Sequence, residues 1–216
     1  MSKLDVHVFS FNAFQENTIV VSNEQGEALI VDPGCYSKAE EQQLLDFIEE
    51  NELSVLAILY THAHIDHILG AAFVQKRFHA PAYLHPLDRP TWESVASYAH
   101  VYGFEAYQIE NVPTNELADK QELVLGGFNI QVRHTPGHAP GHVVYYFESA
   151  KLIINGDVLF KGSFGRVDLP GGDLATLKDS IFNILFQYPD ETIVYCGHGP
   201  ETSIGQEKRN NYIHQF

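Results

Sequence analysis

The chain has 216 residues, of which 44% are hydrophobic, and this supplies enough apolar surface for the core of one domain. Acidic residues outnumber basic ones by 28 to 13, and the resulting charge of −15 disfavours nucleic acids and anionic membrane surfaces as partners. No secretion signal and no apolar run of about 18 residues is evident. We therefore expect a single cytoplasmic domain over residues 1–216, in which Cys35 and Cys196 are reduced thiols.

The first part of the chain alternates short β-type runs with turn-forming residues, which predicts antiparallel strands at residues 4–11, 17–23 and 27–32. Ser37 and Glu40 have the spacing of a capping box, so a helix is predicted over residues 37–51. The apolar run at residues 53–60 predicts a buried strand. A second helix is predicted from about His67 to Phe78.

The second part of the chain repeats this pattern after an aromatic, weakly helical segment at residues 86–112, whose role the sequence leaves open. Strands are predicted at residues 122–135, with a hairpin turn at Gly126 and Gly127, and at residues 142–149 and 151–156. A helix over residues 174–187, a strand over 191–197 and a short C-terminal helix follow. We therefore predict an α/β fold in which two mixed β-sheets pack face to face between helices, a four-layer αββα sandwich.

Residue types that bind zinc and similar divalent ions follow the predicted strands. The motif THAHIDH at residues 61–67 follows the strand at 53–60, and a further such residue follows each of three later strands. These seven candidates are His62, His64, Asp66, His67, His138, Asp157 and His198. A single histidine is more often structural than a ligand, but seven such residues on loops of one scaffold favour a metal site.

Seven ligands are more than one tetrahedral zinc ion needs, so two ions are predicted. His62 and His64 point the same way in an extended loop and are predicted to form a three-histidine site with His138. The other ion is predicted to be bound by Asp66, His67 and His198. The two carboxylate oxygens of Asp157 are predicted to bridge both ions at the separation of about 3.5–4 Å that two-metal sites have.

The order of these motifs, THAHIDH followed by GH at His138, GD at Asp157 and GH at His198, resembles the metallo-β-lactamase superfamily over nearly the whole chain. Within that family, GDVLFKGSFGRVDLPGGD at residues 156–173 is similar to the hydroxyacylglutathione hydrolases, or glyoxalase II enzymes. The resemblance implies the metallo-β-lactamase fold, a dinuclear metal site and a small thioester as substrate. It disfavours lactam hydrolysis, because zinc β-lactamases carry a cysteine at the position of Asp157.

The resemblance also implies roles for further residues. The expected nucleophile is a hydroxide that bridges two ions, zinc or alternatively iron or manganese, and Asp66 is expected to orient it and accept its proton. Arg166 aligns with a basic residue that glyoxalase II enzymes use near glutathione, and Lys161 is close to it in the sequence. Asp32 and His142 are expected to support the metal ligands through hydrogen bonds.

Other functions stay open at this point. A related branch, the persulfide dioxygenases, uses one iron ion, and hydrolases of other esters or of lactones share the same ligand pattern. A non-catalytic metal-binding module on the same fold would be expected to lose ligands, and none is missing here. The chain ends soon after His198, before the helical region that binds glutathione in longer glyoxalase II enzymes, so the thioester itself is not determined. The oligomeric state cannot be predicted either.

Overall fold

The computed structural model describes residues 4–216, and its main elements follow the predicted order. The strands are β1 (Leu4–Phe11), β2 (Glu16–Asn23), β3 (Glu27–Val31), β4 (Ser54–Leu59), β5 (Ala82–Leu84), β6 (Asn115–Glu116), β7 (Glu122–Leu125), β8 (Phe128–His134), β9 (Val143–Phe147), β10 (Leu152–Gly156), β11 (Leu159–Phe160), β12 (Ser163–Phe164), β13 (Ile193–Cys196) and β14 (Thr202–Ser203). The α-helices are α1 (Lys38–Glu50), α2 (Ile65–Ile68), α3 (Ala71–Phe78), α4 (Arg89–Tyr98), α5 (Leu174–Asn183) and α6 (Ile204–Asn210). Short 3₁₀ helices lie at Pro86–Asp88, Ala99–Tyr102, Glu148–Ala150, Leu185–Gln187 and Tyr212–Gln215.

Two mixed sheets form the centre of the fold. The first has the strand order β1-β2-β3-β4-β5-β6, and the second has the order β14-β13-β10-β9-β8-β7. Strands β1, β2 and β3 pair antiparallel, as predicted from their short connections. Strands β3 to β6 pair in parallel, because the helices between them return the chain to the same end of the sheet.

Three hydrophobic clusters separate four layers. In β3, Ala28 and Ile30 pack with Leu44 of α1, whereas Leu29 and Val31 face the second sheet. This alternation follows from the two-residue period of a strand, which sends successive side chains to opposite faces. The second sheet in turn packs its other face against α5. The predicted αββα sandwich of two mixed sheets is confirmed.

The predicted helix from His67 to Phe78 is wrong in one respect, because it is divided into α2 and α3. Gly70 lies at the break, with φ −88° and ψ 2°, and its N–H donates to the carbonyl of Pro33 (2.8 Å). A side chain at this position would collide with the sulfur of Cys35, so the break allows close packing against the loop after β3. The predicted helix at residues 174–187 likewise ends at Asn183 and continues as a 3₁₀ helix.

The aromatic segment at residues 86–112 packs on the helical side of the first sheet. Trp92 of α4 is buried, and its ring makes an edge contact with Tyr60, the residue that follows β4 (4.9 Å between ring centroids). Both cysteines are buried and unpaired, as expected. Across residues 4–216, no helix combines the length and the apolar character needed to cross a membrane.

Candidate metal centre

Loops from both sheets bring the seven predicted ligands together. The loop after β4 carries His62, His64, Asp66 and His67, while Asp157 follows β10 and His198 follows β13 shortly after its end. Because β10 and β13 pair in parallel, their carboxyl ends lie at the same edge of the second sheet. His138 comes from the connection between β8 and β9. The two sheets meet here through a bridge between Glu16 and His198.

The side chains form two groups that match the predicted division. Within each group the ligand atoms all lie within 4.8 Å of one another, and the groups are His62, His64 and His138, and Asp66, His67 and His198. In the first group, Nδ1 of His64 lies 2.8 Å from Nε2 of His138. In the second, Oδ2 of Asp66 lies 3.1 Å from Nε2 of His198.

The Asp157 carboxylate lies between the two groups. Its Oδ2 is 3.6 Å from Nε2 of His138 and 3.5 Å from Nε2 of His198. Its Oδ1 is 3.5 Å from Nε2 of His67. One carboxylate therefore reaches imidazoles of both groups. The position of Gly197 beside it leaves no room for a side chain, because a Cβ there would collide with Asp157.

Four of the five imidazoles direct Nδ1 at an oxygen atom. His138 donates to the carbonyl of Arg166 (2.8 Å), and His198 faces the carbonyls of Phe14 and Gln15 (3.1 and 3.2 Å). His67 donates to Asp32 (3.1 Å). Because a carbonyl or carboxylate can only accept, these bonds place the proton on Nδ1 and leave Nε2 to face the centre.

Thr61 fixes the fourth imidazole in the same way. Its hydroxyl donates to Oδ2 of Asp32 (2.6 Å). The oxygen of the Thr61 hydroxyl then accepts from Nδ1 of His62 (2.9 Å). Nε2 of His62 is thereby directed inward. His64 differs from the other four, since it presents Nδ1 to the centre.

Buried polar atoms without partners identify what the centre can hold. Nε2 of His62, Nε2 of His67 and Oδ1 of Asp157 are buried and make no hydrogen bond within the described residues. Such atoms are rare in folded proteins because each one loses its hydration without compensation. Nitrogen and carboxylate donors of this kind are what zinc and iron bind, so the residues fit one or two divalent ions.

The electrostatics differ between the two groups. Burial lowers the pKa of His62 well below its ordinary value, and burial together with His138 lowers the pKa of His64 to about 3. These imidazoles are neutral, as metal ligands must be. Burial also disfavours a charged His67, but the carboxylates of Asp66 and Asp157 outweigh it and raise the pKa of His67. The carboxylates thus make the second group the more attractive one for positive charge.

Asp32 and His142 lie behind the predicted ligands. Asp32 is within 4.8 Å of His62 and His67, but its oxygens accept from the Thr61 N–H (2.7 Å), the Thr61 hydroxyl and His67. Nε2 of His142 accepts from the backbone N–H of Asp157 (3.0 Å). Both side chains therefore hold a ligand or its backbone by hydrogen bonds.

The two predicted substrate contacts are exposed. The Arg166 guanidinium forms two bonds of 2.7 Å with the Asp168 carboxylate, and its side chain is 60% exposed. The residue borders the three-histidine group through its carbonyl, which accepts from His138. Lys161 is exposed at the turn between β11 and β12. The ligands themselves are buried except on one side, where the His198 side chain is 26% exposed.

Polar residues around β2 support the centre and were missed by the sequence analysis. Asn17 donates from Nδ2 to the carbonyls of Cys196 and Gly199, on both sides of His198 (3.0 and 2.7 Å). Asn12 donates from Nδ2 to the carbonyl of Asp66 (3.0 Å). Glu16 is buried, with Oε1 3.9 Å from Nδ1 of His67, and burial raises its pKa well above the ordinary value. The sequence of β2 could have indicated a supporting role for Glu16 and Asn17, because Glu-Asn-Thr is an unusually polar start for a buried strand.

Comparison with known proteins agrees with the geometry. The family model described as the metallo-beta-lactamase superfamily matches residues 11–198. The hydroxyacylglutathione hydrolase GloC of Haemophilus influenzae is 34% identical over 210 residues, which cover 96% of this chain and 97% of the relative.

Two solved structures are similar over nearly their whole length. The crystal structure of the BLEG-1 B3 metallo-β-lactamase has a TM-score of 0.89 and 37% identity, and the match covers 97% of this chain and 99% of that one. The crystal structure of TTHA1623 in a di-iron-bound form has a TM-score of 0.84 and 38% identity, with 95% and 98% covered. The αββα sandwich and the histidine and aspartate groups at its edge thus have their counterpart in a known family: the chain belongs to the metallo-β-lactamase superfamily.

Proposed function

We propose that this protein is a dinuclear metal-dependent hydrolase that cleaves a thioester of the hydroxyacylglutathione type. The observation that carries the proposal is the position of Asp157, whose two oxygens lie 3.5–3.6 Å from imidazole nitrogens of both ligand groups. His62, His64 and His138 would hold one ion, Asp66, His67 and His198 the other, and Asp157 would contact both. The inward-facing atoms that lack partners support this assignment.

The thioester is proposed from the relative whose name states a substrate. GloC is called a hydroxyacylglutathione hydrolase, and the match covers 96% of this chain and 97% of GloC. The ions, when bound, would lower the pKa of a water molecule toward neutrality and polarise a carbonyl group. A thioester suits such a centre, because its thiolate leaves without needing a proton.

The residues of the chain supply orientation and proton transfer. The exposed fraction of the Asp66 side chain is 14%, and its Oδ2 is directed at His198. Asp66 is adjacent to the open side of the centre, so its Oδ1 is the atom that we propose accepts the proton of the attacking water. Asn12 holds the backbone of Asp66, and Asp32 holds His67, so both positions are fixed before substrate arrives.

The identity of the ions follows from the ligands only in part. Five imidazoles and two carboxylates suit zinc, iron and, less well, manganese. We propose zinc, and iron is the first alternative because the similar structure of TTHA1623 is a di-iron form.

Arg166 and Lys161 are proposed to contact an anionic part of the substrate. Both are exposed, and Arg166 contacts the three-histidine group only through its backbone carbonyl, so its guanidinium takes no part in holding His138. The Asp168 carboxylate already occupies the Arg166 guanidinium and would compete with an anionic group of the substrate. An anionic substrate must therefore displace Asp168 before it can pair with Arg166.

Lactam hydrolysis is the second candidate. It is favoured by one observation, the 37% identity and the TM-score of 0.89 with a structure described as a B3 metallo-β-lactamase. The same centre would polarise a lactam carbonyl as well as a thioester carbonyl, so only a comparison of substrates separates the two activities.

Removing metal should lower the stability of the protein. The buried atoms without partners are satisfied by ions, so at ion concentrations about 100 times the Kd we expect a gain of about 2.7 kcal/mol per bound ion in the free energy of unfolding. Thermal unfolding of chelator-treated protein, titrated with zinc, should show a steep rise in Tm up to two equivalents, followed by a slow rise with the logarithm of the free zinc concentration. Calcium, which prefers oxygen ligands, serves as the control and should have little effect. Equal unfolding curves with and without zinc would contradict the assignment.

Replacing the shared carboxylate should abolish hydrolysis. Asp157→Ala removes the group that reaches both sets of ligands, and we expect a loss of at least about 100-fold in thiol release from S-lactoylglutathione together with reduced metal content. Asp179→Ala is the matched control, because this aspartate is exposed on α5, where it accepts a hydrogen bond from Asn183.

The same assay decides between substrates. Faster hydrolysis of a chromogenic cephalosporin than of any thioester would replace the proposed activity by lactam hydrolysis. Oxygen consumption with glutathione persulfide, without thiol release from thioesters, would replace it by persulfide oxidation. Full activity and metal content in Asp157→Ala would refute the mechanism itself.

The exposed ion pair between Arg166 and Asp168 should affect substrate binding more than turnover. Arg166→Ala should raise KM for an anionic thioester by about three- to tenfold with little change in kcat, because the pair is exposed and screened. Asp168→Asn, which frees the guanidinium, should lower KM. Arg209→Ala is the control, since Arg209 is 65% exposed and also paired with an aspartate. KM values equal to that of the wild type in both Arg166→Ala and Asp168→Asn would show that Arg166 does not contact substrate.

A further inference from the structure

Asp88 is a fully buried carboxylate in the aromatic segment at residues 86–112, and the proposed reaction does not use it. It directly precedes α4, where an aspartate ordinarily accepts from the first N–H groups of its own helix. Here the side chain makes no such bond. Its Oδ2 instead accepts from the backbone N–H of Ala63 (2.8 Å), and its Oδ1 accepts from the backbone N–H of Gly141 (2.6 Å).

The two N–H groups belong to the two loops that build the three-histidine group. Ala63 stands between His62 and His64, and Gly141 follows His138 by three residues. Both donors are buried, so neither has water as an alternative partner. Bonds to an ionised acceptor are short and strong, and a carboxylate has two oxygens for two donors. The side chain therefore joins one loop to the other.

The approach of Gly141 is close enough to exclude any side chain. An added Cβ would lie 2.6 Å from the backbone nitrogen of Asp88 and 2.9 Å from its Oδ1. The next residue, His142, accepts from the backbone N–H of Asp157. A shift of the Gly141 loop would thus move His138 and loosen the support of Asp157 together.

We infer that Asp88 is a positioning residue of the metal centre, which sets the distance between His64 and His138 by joining their loops. The quantity that it controls is the separation of 2.8 Å between Nδ1 of His64 and Nε2 of His138. The second group has further supports of its own, because Asn12 bonds the carbonyl of Asp66 and Asn17 bonds the carbonyls on both sides of His198. The effect of Asp88 is therefore largest at the three-histidine site, whose two loops it joins directly. This inference rests on the proposed function.

Asp88→Asn tests the inference, because the amide keeps the size of the side chain but offers only one acceptor oxygen to two donors. The variant is measured in two backgrounds: His198→Ala, which weakens the second group, and His64→Ala, which weakens the first. Zinc affinity is determined by competition with a chromophoric chelator. In the His198→Ala background we expect Asp88→Asn to lower the affinity by about 10- to 100-fold, and in the His64→Ala background we expect a clearly smaller loss, transmitted only through Asp157.

A buried carboxylate elsewhere provides the control for general destabilisation. Glu207 is fully buried and accepts from the N–H of Gly162 and from Asn211 (2.8 and 2.7 Å), neither of which is one of the seven ligands. Glu207→Gln should lower Tm but leave both zinc affinities unchanged. Should Asp88→Asn fail to fold, Asp88→Glu, whose extra methylene displaces the carboxylate, is expected to show the same selective loss.

The outcomes separate this inference from the proposed function. Wild-type protein that takes up no zinc would refute the proposed function and this inference with it. Wild-type protein that binds two ions, with an unchanged affinity for Asp88→Asn in the His198→Ala background, would refute the inference alone. An equal loss of affinity in both backgrounds would also refute it, because the effect would then be a general loss of stability.

Discussion

The centre depends on the hydrogen bonds that hold the outer nitrogens of its imidazoles. An imidazole can turn about its side-chain bonds and can carry its proton on either nitrogen, so a histidine in a loop does not define a site. In four of the five histidines an oxygen atom accepts from Nδ1 and fixes both the ring and the proton. The inner nitrogens then converge, and the order needed for binding exists before any ion arrives.

The oxygen acceptors come from distant parts of the chain, which explains why the whole sandwich is needed for so small a centre. His198 follows β13 of the second sheet, and its ring is fixed by the carbonyls of Phe14 and Gln15, which lie between β1 and β2 of the first sheet. The loop with His138 is tied to the loop with His62 by Asp88. Each group of ligands therefore becomes rigid only when the two sheets are packed, and the three apolar clusters provide that packing.

The sequence predicted the layers and the composition of the two ligand groups, because strand ends and metal-binding residue types are local signals. It missed β5, β6, β11, β12 and β14, which are two or three residues long and exist only through their neighbours. It also missed Asp88, Asn12 and Asn17. Their partners are backbone groups between 22 and 182 residues away, so a short window can mark Asn17 as an unusually polar strand residue but cannot show which groups these side chains bond. The break at Gly70 was missed for the same reason, since Cys35 and Pro33 impose it.

The most direct test of the paired centre is an anomalous difference map at the zinc edge from crystals of the protein grown with zinc. We predict two peaks. One should lie about 2.0–2.1 Å from the inward nitrogens of His62, His64 and His138, the other should lie beside Asp66, His67 and His198, and the Asp157 carboxylate should contact both. A single peak, or peaks at other side chains while these seven remain unliganded, would contradict the account.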